Sequence, residues 1–171
     1  MNPGQYGEVL LAGSPPPSTA FDLVLLAHIG TAIVSVVVMV SLWTAARSLL
    51  GVSPGSPWPQ AAARFFRPGA EIAGRTLYLV PLTGVVLVSV SRGSFNFGDT
   101  FIWVGLVLWA IAAGAAEHLV FSSAAQLAQV VHAGPVPADS SWKKLVVRAR
   151  LGVDLVAGTL VLATILMVAQ P

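Results

Sequence analysis

Between Asp22 and Arg47 the chain carries no aspartate, glutamate, lysine or arginine. This uncharged stretch is longer than the roughly 20 residues with which an α-helix crosses a bilayer. Over the whole chain only 9% of the residues are charged and 56% are hydrophobic. A soluble domain carries about 25% charged residues, so this chain has too few charges to cover a water-exposed surface. We therefore expect an integral membrane protein, with room for about four helical spans.

Four apolar segments fit this expectation. They lie at about 21–46, 75–91, 99–131 and 150–168. The second segment contains Pro81 and Gly84, residues that membrane helices tolerate and that predict a kink. The predicted fold class is therefore all-α, a bundle of four transmembrane helices formed by residues 21–171.

Lysine and arginine predict the orientation of this bundle. Of the nine basic residues, all but Arg92 fall in the first and third connections between the predicted spans. They are Arg47, Arg64, Arg67 and Arg75 in the first connection and Lys143, Lys144, Arg148 and Arg150 in the third. Because basic loops remain on the cytoplasmic side, we expect residues 47–75 and 132–150 inside and both termini outside.

Residues 1–20 form a predicted Pro-rich arm. They lack the basic start and the continuous apolar core of a secretory signal. The run SPPPS at 14–18 favours a stiff, extended chain. Because a terminal arm without a core of its own is normally mobile, we expect a partner surface to hold it through Pro15, Pro16 and Pro17.

Aromatic residues mark the predicted membrane boundaries and candidate contacts with a neighbour. The first connection mixes Trp58, Phe65 and Phe66 with arginines, a composition typical of a segment that lies in the membrane interface. Trp103 and Trp109 lie on the third span. We expect these two indoles to contact a neighbouring membrane subunit.

A glutamate and a histidine stand side by side, as Glu117–His118, in a third segment that is otherwise apolar from Phe101 onward. Glu117 follows Thr100 by about 25 Å of helix, which puts its carboxylate near the cytoplasmic edge of a core about 30 Å thick. A carboxylate at this depth either joins an ion pair that fixes the helix ends or carries a proton. We expect the ion pair, with His118 at the interface.

A ring of such ion pairs is expected at this level of the membrane. Small residues share a helical face with Glu117 and with Asp154, and small residues are typical of the close contacts between membrane helices. Both carboxylates are therefore expected to point into the bundle, towards arginines at the same depth. The predicted members of the ring are Glu71, Arg75, Glu117, Arg148, Arg150 and Asp154.

His28 lies in the outer half of the first predicted span. It shares a small, polar face with Thr31, Ala32 and Ser35, so the imidazole is expected to point inward. A hydrogen bond to a neighbouring helix, a single-ligand haem and a contact with a quinone head group all remain open for it. A haem with two histidine ligands is excluded, because His118 lies roughly 15 Å away along the membrane normal.

Several kinds of chemistry are excluded by the residues present. The chain contains no cysteine, so it has no disulfide, iron–sulfur cluster or thiolate metal site. No nucleotide-binding loop, zinc-binding helix motif or nucleophile elbow occurs in the sequence. The expectation is a protein without a catalytic site, metal or cofactor of its own, although it could contact lipid or quinone.

Three short motifs resemble those of a known group of proteins. They are LLAHI at 25–29, PLTGVVL at 81–87 and TILMVAQP at 164–171. Their order is similar to that of small four-span bacterial membrane proteins of unassigned function, and more distantly to the copper-resistance D and membrane protoporphyrinogen oxidase families. For the paired polar residues of the oxidases, only His28 has a counterpart here. The Gly/Ala/Val-rich style also resembles the association factor of the actinobacterial cytochrome bc–aa3 supercomplex.

The expected function is that of a non-catalytic accessory or assembly subunit of a larger membrane complex. The resemblance implies a complex of the respiratory chain in the bacterial plasma membrane, with other integral subunits and lipids as partners and no nucleic acid. Two alternatives remain open. One is a small redox or haem-handling enzyme that uses His28, and the other is a transporter or channel protomer.

Overall fold

The computed structural model describes residues 19–67, 69, 71–91 and 94–169, apart from the side chains of Glu71, Ala73 and Val168. All regular secondary structure in these ranges is helical. The predicted partner contacts Pro15, Pro16 and Pro17 lie outside the described residues, as does most of the predicted arm 1–20. The first described helix begins at Thr19, two residues before the predicted start of the bundle.

The described residues form seven α-helices, one 3-10 turn and one π-helical segment. They are α1 (Thr19–Ser48), α2 (Gln60–Phe65), α3 (Glu71–Gly74), the 3-10 turn Arg75–Tyr78, α4 (Leu79–Val90), α5 (Thr100–Ala115), the π segment Ala116–Phe121, α6 (Ser122–His132) and α7 (Ser141–Val168). Helix α1 packs against α4 and α7, and α5 packs against α7.

Among the described residues, three helices are long and apolar enough to cross a membrane, which is consistent with a multi-pass membrane protein. They are Thr19–Ser48, Thr100–His132 and Ser141–Met167. The last of these begins well before the predicted boundary at Arg150, because the basic stretch 141–150 continues the same helix. The predicted second span coincides with a shorter apolar helix, Arg75–Val90.

The buried core extends to the end of the bundle that carries the basic residues. Trp142 is buried there and meets Trp58 edge to face, with ring centroids 5.4 Å apart. Phe66, expected in the membrane interface, is instead part of this core and only 2% exposed. The two basic connections also pair through their backbones, since Gly55 N–H donates to Val136 O at 2.8 Å. The connections are thereby fixed side by side.

The change of helix type before α4 follows from Pro81. Proline has no N–H, so it cannot donate to the carbonyl of Leu77, which a regular helix would require. The structure has a 3-10 turn over Arg75–Tyr78 and gives the Leu77 carbonyl another donor, the indole Nε1–H of Trp109 at 3.1 Å. Pro81 thus leaves a backbone carbonyl able to accept a hydrogen bond from a side chain of α5.

Candidate functional site

A cavity of about 420 Å³ lies between helices α1, α4, α5 and α7, at the end of the bundle away from the basic connections. Its wall is almost entirely apolar and includes the aromatic rings of Phe95, Phe97, Phe101 and Trp109. His28 of α1 contributes its imidazole. Apolar cavities of this size with a few polar groups are typical of small-molecule sites.

The His28 ring is held by a hydrogen bond to α4. Its Nδ1 lies 3.0 Å from the hydroxyl oxygen of Thr83, and the ring also interacts with the backbone of Val80. The Thr83 hydroxyl itself lies 2.9 Å from the Leu79 carbonyl, to which it donates its single hydrogen. The Val80 carbonyl lies 3.0 Å from the same hydroxyl, so the Thr83 hydrogen is directed at backbone carbonyls and Thr83 accepts from His28; this network assigns the ring proton to Nδ1. The lone pair of the neutral imidazole is then on Nε2.

Other polar groups of the cavity wall are already satisfied within the bundle. The Ser35 hydroxyl donates to the carbonyl of Thr31 at 2.8 Å. The Thr164 hydroxyl donates to the carbonyl of Leu160 at 2.9 Å, and the indole of Trp109 donates to the Leu77 carbonyl in the 3-10 turn. By contrast, none of the hydrogen bonds between described residues involves Nε2 of His28.

A second polar cluster forms around Glu117 in the π segment. Arg75 Nε lies 3.7 Å from Glu117 Oε1, the one predicted ion pair of the ring that the described residues contain. The Tyr78 hydroxyl donates to the same carboxylate oxygen at 2.8 Å. Both charged side chains are partly exposed, with 53% of Arg75 and 41% of Glu117 accessible. The cluster therefore joins the 3-10 turn to the third span at its edge; the side chain of Glu71, the other predicted partner of Arg75, lies outside the described part.

Arg148 and Arg150 do not form the predicted ion pairs with Glu117 or Asp154 in the described structure. Arg148 Nη2 donates instead to the backbone carbonyl of His118 at 2.7 Å. The guanidinium of Arg150 lies 5.8 Å from the centre of the Trp43 ring, and its Nε has no hydrogen-bond partner within the described structure. Arginine interacts well with aromatic faces, so the indole takes the place of the expected carboxylate.

Asp154 corrects the prediction most clearly, since its side chain is exposed rather than turned into the bundle. Ala157 and Gly158, the small residues expected to mark a buried face, are exposed with it. A neighbouring residue explains the difference, because Gly152 provides the close contact of α7. A methyl group at Gly152 would lie 2.6 Å from Leu119 Cβ, so the helix turns this side to the π segment.

The π segment Ala116–Phe121 is where the third span meets its neighbours most closely. Two glycines make room for it, Gly152 of α7 and Gly74 before the 3-10 turn, where an added methyl group would collide with the Phe121 ring. The carbonyl of His118 accepts from the Ser122 hydroxyl at 2.5 Å as well as from Arg148. π-helical turns leave backbone groups free in this way and are frequent at functional sites.

The two predicted indole contacts differ in their surroundings. Trp103 is 58% exposed, and its Nε1–H donates to the carbonyl of Phe97 at 2.7 Å. Trp109 lies within the bundle, where it meets Tyr78 edge to face at 6.0 Å. Trp109 therefore packs against α4 and its 3-10 turn rather than pointing to a neighbour.

Sequence reasoning missed Thr83 and Tyr78 as site residues. Thr83 lies in the PLTGVVL motif, but the sequence alone did not show that its hydroxyl contacts His28. Tyr78 follows Arg75 by three residues and therefore lies on the same helical face, which could have suggested a shared partner. Among the described residues, no group of three histidine, aspartate or glutamate side chains is arranged to hold a metal ion.

Comparisons with protein-family models, with curated proteins and with solved structures find no match for this chain. The class of protein nevertheless follows from the helices themselves, which are consistent with a helical, multi-pass membrane protein. It contains an apolar cavity with one imidazole, and it presents one uncovered carboxylate on its last helix.

Proposed function

We propose that this chain is a four-span protein of the bacterial plasma membrane and a non-catalytic accessory subunit of a larger membrane complex. The observation that carries the proposal is the exposed carboxylate of Asp154 on α7. No acidic or basic residue follows Asp154 in the sequence. It lies about 6 Å beyond Arg150 along the helix, within the apolar part of the span.

A carboxylate that faces lipid at this position raises the free energy of membrane insertion. Insertion scales give about 2.5–3.5 kcal/mol for an aspartate at the centre of a span, with a lower cost nearer the interface. Within the part of the chain that the structure describes, Asp154 has no ion pair or hydrogen bond. Ala157, Gly158 and Val161 are exposed beside it. We call Asp154 and these three residues the Asp154 face. Small residues let a second helix approach closely enough to supply a donor or cation.

The orientation with both termini outside rests on the basic residues. The two basic connections are hydrogen-bonded to each other, so their positive charges belong to one end of the bundle. Basic loops remain in the cytoplasm. The second predicted span then corresponds to the continuous helical stretch made by α3, the 3-10 turn and α4, which is about 30 Å long and matches the thickness of the apolar core.

The resemblance to the bc–aa3 association factor is what favours a respiratory complex as the host. An accessory subunit of this kind needs no reacting groups, only faces that fit its neighbours and the lipid between them. Its partners are then other integral subunits, reached by the Asp154 face, by Trp103 and by the Pro-rich arm.

Photo-crosslinking tests the proposal at the Asp154 face. A photoreactive amino acid replaces Gly158, and a matched control replaces Val37, which is 58% exposed on α1. In native membranes we expect the Gly158 position to form an adduct with an integral subunit, and the Val37 position to react with lipid. Asp154→Leu should reduce the adduct, and cytochromes should co-purify with the unsubstituted chain in mild detergent.

Two results would contradict the proposal. The first is an Asp154 face that crosslinks only to lipid in native membranes while the chain purifies alone. The second is a Soret band carried by the isolated chain, which would favour the alternative of a haem-handling enzyme that uses His28. Deleting residues 1–18 gives a further check, since the bundle should still insert but be retained less well in the complex.

A further inference from the structure

We infer that the cavity at His28 binds a membrane-soluble hydroquinone, whose phenolic hydroxyl donates a hydrogen bond to His28 Nε2. This inference does not depend on the accessory role proposed above, because it concerns the inside of the bundle rather than its outer faces. It rests on three observations: the tautomer of His28, the aromatic wall and the position of the cavity.

The tautomer determines which ligand group can bind. Thr83 donates to a backbone carbonyl and so must accept from His28 Nδ1–H. Nε2 is then an acceptor without a partner among the described residues, and it favours a ligand that donates. A hydroxyl group meets this requirement, whereas the carbonyl of an oxidised quinone does not.

The aromatic wall favours a planar ring over an aliphatic alcohol. Phe95, Phe97, Phe101 and Trp109 all line the cavity, and aromatic pairs gain from edge-to-face and offset stacking beyond simple burial. The room beside the imidazole is open because α4 has a glycine there. A methyl group at Gly84 would lie 3.4 Å from His28 Cε1, in ordinary contact with the ring.

The position of the cavity makes the ligand a lipid-soluble one. It lies between the four long helical stretches, and Phe21 near the start of α1 and Met167 near the end of α7 both line it. His28 itself is about 14 Å along α1 from Thr19. A ligand reaches this depth with its ring in the cavity and its apolar chain in the surrounding lipid.

Binding to the purified full chain in lipid nanodiscs tests the inference. A decyl benzohydroquinone, kept reduced under anaerobic conditions, is titrated against its oxidised quinone and against decanol by isothermal calorimetry. We expect the hydroquinone to bind about tenfold more tightly than either, the value of one hydrogen bond to an otherwise unpartnered group. Tighter binding of the quinone, or equal binding of decanol, would overturn the inference.

Two variants identify the group responsible. His28→Leu should weaken hydroquinone binding about tenfold and abolish the preference over quinone. Thr83→Val removes the acceptor that fixes Nδ1–H, so binding should remain while the preference falls towards parity. Gly30→Ala is the control, because Gly30 lies two residues from His28 with open space around it, and it should change neither value.

The variants need not all fold for the test to succeed, because the comparison of the three ligands uses the unsubstituted chain. Unchanged hydroquinone affinity in a folded His28→Leu protein would contradict the inference. A stoichiometric Soret band in the purified chain would contradict it as well, since the Nε2 lone pair would then belong to a haem iron.

Discussion

Replacement of Gly152 by alanine should destabilise the bundle. The structure allows the loss of stability to be estimated. The added methyl group would lie 2.6 Å from Leu119 Cβ and 2.8 Å from Val120 Cγ2. Carbon atoms in contact prefer about 3.5–4.0 Å, so α7 and the π segment must separate by about 1 Å. The Val120 backbone nitrogen lies 3.2 Å away, which limits how far side-chain rotation alone can relieve the contact.

A matched substitution in the same helix removes the effect of helix propensity. Gly158 of α7 has open space around it, so Gly158→Ala gains the propensity of alanine without a collision. Overpacking costs about 1–3 kcal/mol. Because both substitutions exchange glycine for alanine within one helix, the difference between the two variants should equal this cost. We expect Gly152→Ala to be the less stable by about 1–3 kcal/mol.

Equilibrium unfolding of the purified chain in mixed detergent, followed by circular dichroism, measures this difference. The isolated chain is the correct sample, because Gly158 belongs to the face proposed to meet a partner. Equal stability of the two alanine variants would refute the reasoning. It would mean that α7 does not approach the π segment as closely as the structure shows, or that the segment can yield at no cost.

Three further predictions follow from the same structure. Glu117→Gln should lower the stability of the isolated chain by about 1 kcal/mol or less, because its ion pair is partly exposed; a collapse of host-complex turnover with normal assembly would instead indicate a proton-carrying carboxylate. Trp109→Phe should cost about 1 kcal/mol in thermal unfolding by removing the indole donor from the buried Leu77 carbonyl, which keeps the backbone N–H of Leu79, whereas Trp103→Phe, the exposed control, should change little. Reporter fusions after Arg67 and after Pro171 should give cytoplasmic and external signals respectively, and an external signal at Arg67 would reverse the orientation.

The membrane class of the fold could be predicted because it depends on sums over long segments. An uncharged stretch such as 23–46 is apolar whichever way each side chain points, so hydropathy alone identifies it. The Arg75–Glu117 pair could also be predicted from the sequence, because the depth of a residue along each helix follows from counting residues. These inferences need the length and rise of a helix but not its rotation.

The direction of single side chains could not be predicted in the same way. Gly152 and Gly158 are equally small, yet one contacts the π segment and the other faces open space. The expectation for Asp154 failed because it assumed that any small residue marks a buried face. The π segment adds a second difficulty, since its extra residue rotates everything after it by about 100° relative to a regular helix.

The distribution of buried residues between the two ends of the bundle has a consequence for stability. In α1 the buried residues all lie from Ser35 onward, towards the basic end, and α4 has none among its described side chains. The end with the His28 cavity therefore has few buried side chains in α1 and α4 to stabilise it. A hydroquinone that fills the cavity would stabilise the folded chain in proportion to the logarithm of its concentration. The core that contains Trp142 should share this stabilisation, because Trp109 and Leu160 of the cavity wall pack against the same cluster.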